Sequence, residues 1–129
     1  MKGVINVVSF ENFVTDGVLP VYLQIIMFIK RGIVSGSIKD SDELPSRRVL
    51  SALLGVNPNT VQKAFALLES EGLIVSRTGA KSLIAADSRT IERIKEELLL
   101  NDVRGFVSVA KQTGLTKEQT IKLIDENWD

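Results

Sequence analysis

With 129 residues, 44% of them apolar and 25% charged, the chain has the size and composition of one soluble globular domain. Sixteen basic residues balance sixteen acidic ones, and there is neither cysteine nor histidine, which excludes disulfides, thiolate metal sites and the commonest general base. The longest apolar run ("VYLQIIMFI") is too short for a membrane span and holds Gln24, and "MKGVINVVSF" does not read as a secretory leader, so a cytoplasmic protein without a membrane partner is expected.

Residues 1–18 read as an N-terminal arm, with Ile5, Val7 and Val8 in a short strand-like pattern and Gly3 and Asp16-Gly17 as turn signals. Pro20 suits a first helical turn, and the spacing of Val21, Gln24, Ile25, Phe28, Ile29 and Ile33 predicts a helix over 20–35 that stops at Gly36. After the polar stretch "SIKDSDE", Ser46 is the N-cap of a second helix whose expected buried stripe is Val49, Leu50 and Leu53, ended by Gly55. A third helix opens at "NPNT". Asn57 is a strong N-cap type there, and Pro58 takes the first position, where a missing N–H costs nothing. Val61, Ala64, Phe65 and Leu68 form its inner face, and Gly72 its C′ residue. "LIVSR" and "SLIAA", joined by "TGAK", then read as a β-hairpin.

Two helices joined by the tight turn "GVN", with one helix before and a hairpin after, make a winged helix-turn-helix over 19–86. The chain is therefore expected to be mostly α with a small β-hairpin, followed by a two-helix tail over 87–129. In that tail Ile91, Ile94 and Leu98 share one stripe, and Leu99, Val103, Phe106 and Ala110 share an offset one. Gly114 breaks the pattern, Thr116 and Gln119 form a capping box, and Ile121, Ile124 and Trp128 mark a last short helix. Two stripes exceed what a small winged domain needs as cover. They either pad its flank or form a dimerisation surface of Ile91, Ile94, Leu98, Leu99, Val103, Phe106, Ile121 and Ile124 shared with a second copy; the second use is favoured.

The charge is neutral in sum but sorted along the chain. Residues 44–63 contain Arg47, Arg48 and Lys63 with no acid, and 73–86 contain Arg77 and Lys81 with none. The opening of the third helix, "NPNTVQK", carries short hydrogen-bonding side chains and no carboxylate, which leaves its positive end open to an external anion. Asn and Gln can pair with an adenine edge, and Thr can reach a phosphate or a thymine methyl. Capping alone would also account for Asn57, and adjacent arginines are often just solvated. On the second helix of a helix-turn-helix, however, the pattern favours double-stranded DNA, with Arg47, Arg48, Asn57, Asn59, Thr60, Gln62, Lys63, Arg77 and Lys81 as candidate contacts.

"LPSRRVL", "VNPNTV", "LESEGLI" and the hairpin, within residues 19–85, resemble the DNA-binding domain of GntR-type bacterial transcription regulators, and the short tail with "VNPNTVQKAF" is similar to the YtrA subfamily. The resemblance implies a homodimer, a helical dimerisation tail, and a repressor on a palindromic operator, with a transporter operon as target. It places the family's arginine on Arg48, its recognition contacts on Asn57, Asn59, Thr60 and Gln62, and its wing basic residue on Arg77. Three positions depart from the family pattern: Ser41 and Lys81 replace glycines, so the loop before "LP" and the wing tip are expected to differ, and Ser51 replaces an alanine. The tail is too small for a separate sensory domain, so any small-molecule effector would sit at the dimer interface. No phosphate loop, catalytic carboxylate pair, metal site or cofactor motif is visible, and an enzyme is not expected. A winged helix that binds protein rather than DNA is the rival reading.

Overall fold

The computed structural model describes residues 6–77 and 81–129. In chain order these form α1 (Val21–Ser35), α2 (Arg47–Leu54), α3 (Pro58–Ser70), β1 (Ile74–Arg77), β2 (Lys81–Ile84), α4 (Ser88–Gln112) and α5 (Lys117–Glu126). Two compact units, Met1–Ile94 and Lys95–Asp129, divide inside α4. The division falls later than the composition change near residue 86, because Ile94 is fully buried and keeps the opening turns of α4 with the winged helix.

In the first unit α1 and α2 both pack on α3. Ile25, Ile29 and Ile33 from α1 and Val61, Ala64, Phe65 and Leu68 from α3 are almost wholly shielded from solvent. Each large side chain so buried contributes about 1.5–3 kcal/mol before entropy is counted. The expected inner face of α3 is thus covered in full. That of α2 is not: Leu50 is buried, but Val49 is 51% exposed and Leu53 67%. The inward line of this short helix runs through Leu50, Ser51 and half-buried Leu54. Val49 and Leu53 each sit one residue earlier, turned roughly 100° away.

The turn between α2 and α3 is local chemistry. Ser46 Oγ accepts from the Val49 N–H at 3.1 Å to start α2, and Gly55 ends it in the left-handed region at φ 66°. Ser51, buried against this turn, donates from Oγ to the Val56 carbonyl at 2.6 Å and accepts the Val56 N–H on its own carbonyl at 3.1 Å. Two bonds between one pair of residues close the three-residue turn.

β1 and β2 pair antiparallel with Ile74 opposite Ile84 and Arg77 opposite Lys81; the "TGA" of the expected "TGAK" turn lies outside the described residues. The hairpin continues sideways through single-residue bridges, Leu83 to Glu43 and Glu43 to Val7. Ser41, which the resemblance implies replaces a glycine, adopts φ 71° and gives its N–H to the Ile84 carbonyl. The loop therefore takes the shape a glycine would adopt freely, at some strain for serine.

The arm is also built into the first unit. Val8 and Phe10 are buried, and Phe10 stacks on Phe28 at 4.9 Å while Phe13 meets the same ring edge-on at 5.5 Å. Gln24, the polar residue in the longest apolar run, accepts the Asp16 N–H and donates to the Leu19 carbonyl, which fastens the arm to α1. Buried Lys30 pairs with Glu71 at 2.9 Å, and Arg93 Nη2 donates to the Glu71 carbonyl at 3.3 Å.

In the second unit α4 turns through Gly114 into α5, whose start carries the complete Thr116/Gln119 capping box. All its residues are described, and only Leu98 and Ala110 are buried. Leu99, Val103, Phe106, Ile121 and Ile124 line an apolar groove of about 660 Å³. Trp128 lies past the end of α5 and is exposed. No helix among the described residues is long and apolar enough to cross a membrane.

Candidate nucleic-acid interface

Covering Val61, Ala64, Phe65 and Leu68 leaves the opposite stripe of α3 to solvent. Asn59, Lys63, Ala66 and Ser70 run along its middle, with Gln62 at its flank, and all are exposed; Thr60 is half-buried. No acidic residue stands in the first turn. The backbone there is less available than the sequence suggests. Pro58 has no N–H, Asn59 gives its N–H to Asn57 Oδ1 at 2.8 Å, and Thr60 gives its own to the Asn57 carbonyl at 2.9 Å. The helix end keeps its positive polarity, but recognition falls to the side chains. Asn57 is foremost the cap, and the residue is exposed.

The two adjacent arginines have different surroundings. Arg47 leans its guanidinium over the Phe65 ring, 5.1 Å from the centroid, with Nε buried and without a hydrogen-bond partner. It braces the start of α2 against α3. Arg48 is exposed and makes no hydrogen bond or ion pair among the described residues. Lys63 is drawn toward α1, its ammonium 4.0 Å from the Tyr22 ring centroid. Arg77 and Lys81 stand directly opposite each other across the hairpin, a like-charge pair that costs stability unless an anion joins it. Among the described residues Lys81 finds only a weak partner, Glu43 at 3.9 Å. The structure thus joins Arg47 to α3 and Arg77 to Lys81. Phe65 was expected on the inner face of α3, but its seat for Arg47 was not read from the sequence; Tyr22 escaped the reading altogether, and Ser51 carried a signal only as a departure from alanine.

Of the eight expected dimerisation residues, Leu99, Val103, Phe106, Ile121 and Ile124 are exposed in the second unit, and Ile91 is half-buried in the first. Ile94 and Leu98 are buried within the chain and have no free surface to offer a second copy.

Residues 21–84 match the family described as bacterial regulatory proteins, gntR family. Over 108 residues, 83% of each protein, the chain is 39% identical to the HTH-type transcriptional repressor YtrA of Bacillus subtilis strain 168. It is also 34% identical to the HTH-type transcriptional regulator YhcF of the same strain, over 80% of this chain and 85% of that one. The chain belongs to the GntR family. A GntR family transcriptional regulator from Listeria monocytogenes superposes with a TM-score of 0.76 at 32% identity, covering 87% of this chain and 98% of the other. As a GntR regulator the protein is a DNA-binding transcription regulator with a winged helix-turn-helix, and its relatives are regulators rather than enzymes. Ser51 ties the turn between α2 and α3, and Ser41 adopts a left-handed φ that glycine takes freely.

Proposed function

We propose that this GntR-family protein is a cytoplasmic repressor that binds a palindromic operator as a homodimer. The exposed, acid-free stripe of α3 carries the reading: Asn59, Gln62 and the exposed Asn57 present groups that pair with base edges in the major groove. Thr60 reaches a phosphate or a thymine methyl, and Lys63 a phosphate. Arg48 holds register on the backbone, where an exposed guanidinium can take a phosphate by two parallel hydrogen bonds. Arg77 and Lys81 flank the wing, and a phosphate between them would relieve their mutual repulsion. Arg47 assists by keeping α2 seated on Phe65. The similarity to a protein named as a repressor supports the sign of regulation. A transporter operon is the proposed target class.

The dimer is supported by the apolar groove and exposed apolar stripes of the second unit. Copies related by a twofold axis would place two α3 helices at half-sites roughly one DNA turn apart. Because the chain has no net charge, affinity rests on a few local cations and should fall with salt as those phosphate contacts are lost. Arg48→Ala tests the DNA reading. Operator duplex selected from a random pool should bind at least about tenfold more weakly, with the fold and oligomeric state unchanged. Equal affinity in an electrophoretic shift at physiological salt would overturn it.

A further inference from the structure

The arm and α2 border an open cleft of about 860 Å³ in the first unit, and none of its lining residues belongs to α3. Its walls are Val7, Val8, Phe10 and Phe13 from the arm and Val49, Leu53 and Leu54 from α2. The volume falls in the roughly 300–1,000 Å³ range of small-molecule sites, and the lining has their usual make-up, mainly apolar with a few polar groups. It also explains the exposure of Val49 and Leu53, which line this space instead of the core. The charges are one-sided. Glu11 and Glu43 line the cavity, and no lysine or arginine does so among the described residues. Glu11 makes no ion pair among them, and Glu43 has only distant Lys81, at 3.9 Å.

We infer that this cavity binds a small organic cation, an apolar body bearing one ammonium group. The body lies against Phe10, Phe13, Val49 and Leu53, and the ammonium meets the carboxylates of Glu11 and Glu43. An anionic ligand would meet two carboxylates offset, among the described residues, by Lys81 alone at 3.9 Å from Glu43, and a neutral one would leave them without a new partner. The arm that walls the cleft is bonded to Glu43 through the Val8 N–H and the Asn6 carbonyl, and Glu43 in turn bridges to Leu83 of the wing strand. The ligand would therefore sit against a DNA-binding element and need no sensory domain.

The site is independent of the DNA and dimer readings and is tested on the full-length protein without DNA. Phenylbutylamine, phenylbutanol and phenylbutyrate share one apolar body and differ in charge, and their binding can be followed by calorimetry and thermal shift. The amine is expected to bind saturably and raise the melting temperature, with the alcohol and the carboxylate at least about tenfold weaker. In a Glu11→Gln, Glu43→Gln variant the amine should lose about tenfold and its advantage over the alcohol should vanish. Leu53→Lys changes an exposed position, so the fold should survive while the new cation excludes the amine. No saturable amine binding, equal binding of the alcohol, or retention of the amine by either variant would overturn the assignment. Binding lost instead with changes at Phe106 or Ile121 would overturn it too, by placing the ligand in the tail groove.

Discussion

α2 and α3 are neighbours with similar apolar spacing, yet only one of them keeps its expected stripe covered. All four inward residues of α3 are buried, whereas α2 buries Leu50 and leaves Val49 and Leu53 to solvent. α3 packs against both α1 and α2, while α2 makes its main helix contact with α3. Periodicity identifies residues that share a face. It does not say whether anything covers that face. The second unit repeats the lesson: Leu99, Val103 and Phe106 of α4 keep a helical spacing as regular as α3's and stay exposed.

The comparison can be broken most directly at α2. Leu50→Ala should cost about 3 kcal/mol in chemical denaturation, and Leu53→Ala less than about 0.5 kcal/mol. Comparable losses would mean that the outer face of α2 is covered in solution. Next comes the tail, where Ile121→Lys should shift the sedimentation profile to the monomer, with a dimer constant weakened at least about tenfold. An unchanged dimer would show that the groove is not the contact surface. Ser51→Ala probes the turn that orients α3. Losing the bond to the Val56 carbonyl should cost about 1 kcal/mol of stability. Operator affinity should fall as well, checked at a temperature where the variant is fully folded.

The smallest effect is electrostatic. Asp87 accepts the Thr90 N–H at 2.8 Å at the head of α4, and this hydrogen bond holds its carboxyl below the ordinary value of 3.8. A group whose folded pKa is depressed stabilises the fold above its unfolded value and loses that contribution as pH falls through the folded one. Stability should therefore decline below about pH 4 slightly more steeply in the natural chain than in Asp87→Asn, which keeps the acceptor but not the titration. Parallel acid limbs in melting curves would exclude this role.

What could be read from the sequence was what neighbouring residues decide. Ser46, Asn57 and the Thr116/Gln119 box cap helices through bonds spanning two or three positions, and Gly55 and Gly114 stop them through their own φ. The five helices, the hairpin and the candidate recognition stripe follow from such signals together with the helical period. Long-range contacts decided the rest. Whether Ile94 joins the core or Val49 faces a cavity depends on which element lies opposite, and nothing within a few residues records that. Two adjacent arginines look alike in sequence, but Phe65, eighteen positions further on, gives Arg47 a seat and leaves Arg48 outside. Ser41 is held at a glycine's φ with its N–H bonded to Ile84, on the far side of the unit in sequence. Local hydrogen bonds and period set where the elements begin and end; packing free energy, which only the assembled unit supplies, set which of their faces remain free to bind.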